Sequence, residues 1–221
     1  MSQAHRGSSD IPTIVIPFRN RHTHLDCVLT RFRDFPVIVV EQADDLPFNR
    51  GALLNIGYVH ARERGAHRVI LHDCDLVPDD TLLSMYREHW PSPVIHFGAR
   101  FRRYNNSARY FGGVHGFCGG SFPGYPNHFW GWGGEDDALR TRVTESLSAR
   151  RGEYLDLEGY THARDKLNTL LPKDKCNNRW ELLRSDDPCN DNHRTHDLGA
   201  DITWECMNGI EWGCIRFRRE A

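Results

Sequence analysis

The chain has 221 residues, with 28 Lys+Arg against 30 Asp+Glu and a formal net charge of −2 with His neutral. That length supports one domain with a full core and no covalent staples, and the balanced charge leaves no basic excess with which to bind a nucleic-acid polymer. No apolar run approaches the roughly 18–20 residues that span a bilayer, and residues 1–10 form a polar N-terminal tail without a signal-peptide core; the expectation is a chain soluble as made, or one trimmed of an anchor.

Residues 11–18 (IPTIVIPF) are a short β-branched run that predicts a buried strand. Leu25, Val28, Leu29 and Phe32 fall at helical spacing and predict a helix over 23–32, with Thr23 as N-cap. Pro36 opens a second strand at 37–40, and Asn49 begins a helix carrying Leu53, Leu54 and Val59 that Gly65 is placed to end. A third strand at 68–71 runs into His72-Asp73-Cys74-Asp75; Asp79 or Asp80 caps a helix over 81–90, and 94–97 reads as a strand. Alternating strands and helices predict an α/β fold with a mainly parallel, Rossmann-like sheet flanked by helices. Ligands of such sheets bind beyond the carboxyl ends of the strands, where both PFRNR (17–21) and HDCD (72–75) lie.

Between 111 and 134, 9 of 24 residues are Gly, which predicts loops holding aromatic platforms. The pattern weakens after Arg151 and strengthens again in a strand-like stretch over 202–217.

Three groups of residues point to chemistry. Asp73 and Asp75, one residue apart at a strand end, suit a hard divalent cation that bridges to phosphates; the alternative is a solvated acidic turn. Trp130 and Trp132, among glycines and directly ahead of Glu135-Asp136-Asp137, suit a sugar: indole faces pack on sugar rings, glycines permit close approach, and carboxylates serve as bases. The same three acids also suit the first turn of a helix. Arg19, Arg21 and Arg50 suit a diphosphate, which matches a guanidinium fork.

The thirteen His and seven Cys are less informative. Cys176, Cys189, His193 and His196 are spaced too widely at the first pair for a structural zinc site. Cys206 and Cys214 bracket Met207-Asn208-Gly209, a spacing open to a hairpin disulfide in an oxidising compartment.

In order and spacing, PFRNR (17–21), FNR (48–50), DCDLVP (73–78), YFGG (110–113) and NHFWGWGGEDD (127–137) resemble the β-1,4-galactosyltransferase family, and most of all its proteoglycan-linker branch, which transfers galactose to xylose. The resemblance covers about residues 11–166. It implies a GT-A catalytic core there, with 167–221 as a C-terminal extension packing on it, and an inverting, Mn²⁺-dependent transfer from UDP-galactose to a saccharide or glycoconjugate acceptor in β-1,4 linkage; the alternatives are transfer of another UDP-sugar by the same site and a carbohydrate-binding relative that does no chemistry. It also implies a Golgi-lumen location if the chain is the trimmed part of an anchored family member, and a cytoplasmic one otherwise. Carried over by position, Arg19, Arg21, Phe48 and Arg50 would hold uridine and diphosphate, with Pro17, Phe18, Asp73, Cys74, Tyr110, Trp132 and Glu135 completing the donor side. Asp75 and His162 would bind Mn²⁺, Trp132, Asp136 and Asp137 would meet the acceptor, and Asp136 would be the general base. Gly159 stands where many members carry a methionine metal ligand, and Ser107 where some carry an acceptor-side tyrosine.

Overall fold

The computed structural model describes residues 11–98, 101–104, 107, 109–149, 153–185 and 198–218. Strand β1 (Thr13–Phe18) is buried along its whole length. It lies between β2 (Val37–Gln42) and β3 (Arg68–His72), both parallel to it. Helix α1 (His22–Leu29) follows β1, and α2 (Arg50–Glu63) joins β2 to β3. Next come β4 (Leu76–Pro78), α3 (Asp80–Arg87), β5 (Val94–His96) and β6 (Val114–Cys118). Helix α4 (Glu135–Arg142), β7 (Leu147–Ala149), β8 (Tyr154–Asp156), α5 (Ala163–Thr169), α6 (Arg179–Ser185), β9 (Ala200–Met207) and β10 (Ile210–Phe217) complete the described elements.

Eight strands form one sheet in the order β7-β5-β6-β3-β1-β2-β10-β9, while β4 and β8 pair separately. The run β3-β1-β2-β10 is parallel throughout, and β6 and β9 add antiparallel neighbours on either side. Because successive side chains of a strand point to opposite faces, Ile14, Ile16 and Phe18 pack under α1 and α3 with Leu25, Val28, Leu82 and Tyr86. Val15 joins Val40, Val69 and Leu71 under Leu53, Leu54 and Ile56 of α2. Helix α2 can sit this close because Gly57 faces the sheet: a Cβ there would stand 2.3 Å from Val15 and 2.8 Å from Val40. Among the described residues, no helix is long and apolar enough to cross a membrane.

Several expectations change. Helix α1 begins at His22 with Arg21 in the N-cap position, because Asn20 turns the chain off β1 at φ 53°; Thr23 lies inside the first turn, and Phe32 is buried beyond the helix end. Helix α3 stops at Arg87, short of Trp90, and is capped by Asp79, whose side chain accepts from the Leu82 amide. The glycine-rich segment expected as loop contains β6. Its Gly116 is the reason: a Cβ there would stand 2.8 Å from both Phe97 and Trp90, so the missing side chain lets the two rings close over the strand. Cys206 faces Glu211 and Cys214 faces Thr203 across the β9–β10 hairpin, a register that sets the two thiols apart, and both are free. Cys189, His193 and His196 lie outside the described residues. Of the segment expected as an extension over 167–221, residues 210–217 form β10, hydrogen-bonded within the main sheet between β2 and β9.

Candidate functional site

The carboxyl ends of β1 and β3, the N-terminus of α2 and the N-terminus of α4 converge on a cavity of about 250 Å³. Pro17, Arg19, Arg21, Phe48, Arg50, Asp73, Cys74, Asp75, Tyr110, Trp132, Glu135 and Asp136 line it. Phe18 does not: it points into the core, fully buried, with Trp212 edge-on at 5.6 Å between ring centroids. A wider cavity of about 510 Å³ adjoins the first and shares Tyr110, Trp132, Glu135 and Asp136 with it; Asp137 and His162 line only the wider one. Asp136 therefore stands between the two spaces.

Asn49 positions this end of α2. Its side chain accepts from the Ala52 amide as N-cap and donates to the Asn127 carbonyl at 2.7 Å, tying the helix start to the loop that leads into the Trp-Gly motif. The next residue, Arg50, is the hub of the site. Its Nε donates to Asp73 Oδ1 at 2.7 Å, its Nη1 to Asp136 Oδ1 at 2.9 Å, and its Nη2 to the Gly113 carbonyl at 3.3 Å. The charge of Arg50 is thus committed to two carboxylates of the site. Burial pushes the Asp136 carboxyl up to about 8 against the pull of Arg50, with Glu135 and Asp73 adding to the rise. Burial also raises Glu135, although Arg50 opposes it.

A second hub lies across the cavity. Arg21 bridges Asp75 Oδ2 at 2.9 Å and Glu158 Oε1 at 2.6 Å. Glu158 also receives Arg103 and Lys166, each at 2.8 Å. Burial would raise the Glu158 carboxyl, but Lys166, Arg21 and Arg103 outweigh it and hold the group at about 2. Asp75 is raised by burial and by Asp73. Its Oδ1 makes no hydrogen bond among the described residues. That free carboxylate oxygen at the cavity wall fits a hard divalent cation, which takes oxygen ligands and completes its shell with phosphates and water. His162, the N-cap of α5, is exposed on the wider cavity. Among the described residues, no cluster of three or more His, Cys, Asp or Glu side chains forms a ready metal cage. Gly159 contributes no side chain.

Trp132 is held by its backbone. Its amide donates to the Asp174 carbonyl at 2.7 Å, and its carbonyl accepts from the Cys176 amide at 3.3 Å. Gly131 makes this pairing possible, since a Cβ there would stand 2.9–3.0 Å from the backbone of Lys175 and Asp174. The indole carries the Lys166 ammonium 5.6 Å from its ring centroid. Tyr104 and Tyr110 stack at 4.2 Å where the cavities meet. The sequence expectations missed Arg103, Tyr104, Tyr125, Glu158, Lys166 and Asp174. Glu158 and Lys166 flank the segment that contains His162, and that proximity in sequence was the available signal.

Two family models match the chain: the N-terminal region of glycosyl transferase group 7 over residues 7–87, and the N-terminal domain of galactosyltransferase over residues 92–166. Human beta-1,4-galactosyltransferase 4 is 37% identical over 173 residues, covering 71% of this chain and 50% of that protein. Rat beta-1,4-galactosyltransferase 6 is 39% identical over 193 residues, covering 77% of this chain and 47% of that protein. The chain thus spans about half the length of these relatives. Among solved structures, the catalytic domain of Drosophila beta-1,4-galactosyltransferase 7 in complex with xylobiose superimposes with a TM-score of 0.71 at 20% identity, covering 94% of both chains. A mutant of the same enzyme in complex with manganese, UDP-Gal and xylobiose matches equally well. The likeness identifies the fold as that of a GT-A galactosyltransferase domain.

Proposed function

This chain belongs to the β-1,4-galactosyltransferase family, and we propose that it transfers galactose from UDP-galactose to a saccharide acceptor with inversion, forming a β-1,4 bond, with xylose as the first acceptor to test. The observation that carries the reading is the position of Asp136 between two cavities, one walled by arginines and the Asp73–Asp75 pair, the other by aromatic rings and Asp137. An inverting transfer asks for that division: the donor occupies one space and the acceptor hydroxyl enters from the other; of the two carboxylates that line both, Asp136 is the more exposed, at 27% of its side chain against 9% for Glu135.

In this reading Arg19 and Arg21 face the diphosphate, and Phe48, against which the Arg19 guanidinium lies at 5.1 Å, lines the uridine side. Asp73 and Glu135 face the galactose, with Tyr110 limiting the space beside it. Asp75, on the first cavity, would hold Mn²⁺; His162, the second ligand by family resemblance, lines only the wider cavity here and would have to reach across to join it, and the bound cation would supply positive charge to the diphosphate as it leaves. Arg21 is bonded to Asp75 and Glu158, so contact with the diphosphate would require it to exchange a carboxylate for a phosphate oxygen. Asp136 takes the proton of the acceptor hydroxyl, the acceptor oxygen bonds to the sugar C1, and the bond from C1 to the diphosphate oxygen breaks to release UDP. Trp132 and Asp137 meet the acceptor, and Trp132 offers its ring face to a sugar. The xylobiose, UDP-Gal and manganese in complex with the Drosophila enzyme support this choice of ligands.

The test is UDP release from a panel of UDP-sugars, with and without Mn²⁺, against xylosides, glucosides and N-acetylglucosaminides. The expected result is Mn²⁺-dependent release from UDP-galactose, increased by one acceptor class. Release from a different UDP-sugar alone overturns the donor assignment; UDP binding without release from any donor overturns the catalytic one.

A further inference from the structure

Tyr125 carries none of the motifs the sequence singles out, yet it is among the largest fully buried side chains of the molecule. Its hydroxyl lies 3.3 Å from Asp136 Oδ1 and 3.3 Å from Arg50 Nη1. A guanidinium only donates and an ionised carboxylate only accepts, so the hydroxyl accepts from Arg50 and donates to Asp136. Asp136 Oδ1 therefore has two donors, Arg50 and Tyr125. Oδ2 has none among the described residues, and it faces Gly112, where a Cβ would stand only 2.7 Å away. One oxygen of the carboxylate is tethered, and the other is free.

Tyr125 is itself fixed with unusual care for a loop residue. Its amide donates to Asn55 Oδ1 and its carbonyl accepts from Asn55 Nδ2, both at 2.8 Å. Gly124 before it turns the chain at φ +81°, and Gly51 makes room on α2, where a Cβ would stand 2.9 Å from that of Tyr125. A phenyl ring would fill the same apolar slot without the cost of burying a hydroxyl. What the hydroxyl adds is a donor aimed at Asp136.

We infer that Tyr125 is a positioning residue for the base: it holds Asp136 Oδ1 so that Oδ2 is the oxygen presented to the acceptor hydroxyl. The inference rests on the galactosyltransferase reading above. A carboxylate tethered through Arg50 alone can pivot about that bond, whereas two donors at one oxygen fix its plane, and the loss of one donor moves the receiving oxygen out of line.

The test compares the parent chain with Tyr125→Phe in galactose transfer, with UDP binding measured by calorimetry. The expected result is a kcat lower by roughly ten- to hundredfold, with the acceptor KM and the UDP affinity within about twofold of the parent. In an Asp136→Asn background, Tyr125→Phe should cost nothing further, since its effect runs through that carboxylate. If Tyr125→Phe folds poorly, Tyr125→Met, which also lacks the donor, serves in its place. An unchanged kcat, a loss expressed only in KM, or a further loss in the Asp136→Asn background overturns the inference while leaving the functional reading intact. A parent chain that binds UDP but transfers galactose to no acceptor overturns the functional reading and this inference with it.

Discussion

At the scale of single residues, the site is governed by how its acids share two arginines. Asp136 can accept a proton only when ionised, and burial holds its carboxyl at about 8. Burial thus disfavours the ionised form, so only part of the free enzyme carries the base at neutral pH. The sign follows directly: kcat/KM should rise with pH, about tenfold per unit on the acid side, and level off near pH 8. A profile flat from pH 6 to 9 would show that Asp136 is not the titrating base. Asp136→Asn should lower transfer by on the order of 10²–10⁴ while UDP binding is retained; undiminished transfer would move the role to Glu135 or Asp137. The acids themselves were legible, since three carboxylates after a Trp-Gly run are an unusual arrangement. The partners of Arg50 were not. Asp73 and Asp136 are 23 and 86 residues away from it, and only the fold brings them to one guanidinium.

At the scale of elements, α2 does more for the site than any other segment. It supplies Arg50 at its first position, room for Tyr125 at Gly51, the Asn55 clamp one turn later, and close contact with the sheet at Gly57. Gly57→Ala tests the last of these. The new methyl would meet Val15 at 2.3 Å and Val40 at 2.8 Å, both fully buried, so either the helix lifts or the strands shift. The expected cost is about 1–3 kcal/mol, read as a lower midpoint in urea at unchanged slope; an unchanged midpoint would mean that the helix rides on the sheet with slack. The existence of α2 was readable from its Asn49 cap and Leu53–Leu54 periodicity. Strand β6 was not, because its Gly116 is chosen for the bulk of Trp90 and Phe97, and a residue selected for the size of distant neighbours carries no local strand signal.

At the scale of the whole molecule, the last of the described strands returns to the main sheet beside β2. β10 lies parallel to β2, so β2 is flanked on both sides and its outward hydrogen bonds are satisfied by residues more than 170 positions away. The sequence shows a strand-like run there but not its destination, since a parallel partner leaves no hairpin turn to mark it. The consequence reaches the site. Phe217, 6% exposed, packs edge-on against Trp130 at 5.1 Å, and its amide donates to Asp44 Oδ2 at 2.8 Å. Trp130 begins the Trp-Gly-Trp run whose second indole, Trp132, lines both cavities and meets the acceptor in the reading above. Phe217→Ala should therefore do two things. Removal of a buried ring costs about 3–5 kcal/mol, which for a domain of this size lowers the thermal midpoint by roughly 6–20 °C. Loss of the ring also leaves Trp130 without its edge contact, so the acceptor KM should rise even at temperatures where the variant is fully folded, while UDP affinity, set by β1, β3 and the start of α2, should hold. A lowered midpoint with unchanged KM would make β10 a purely structural closure; a raised KM would make the C-terminal strand the outer support of the acceptor site.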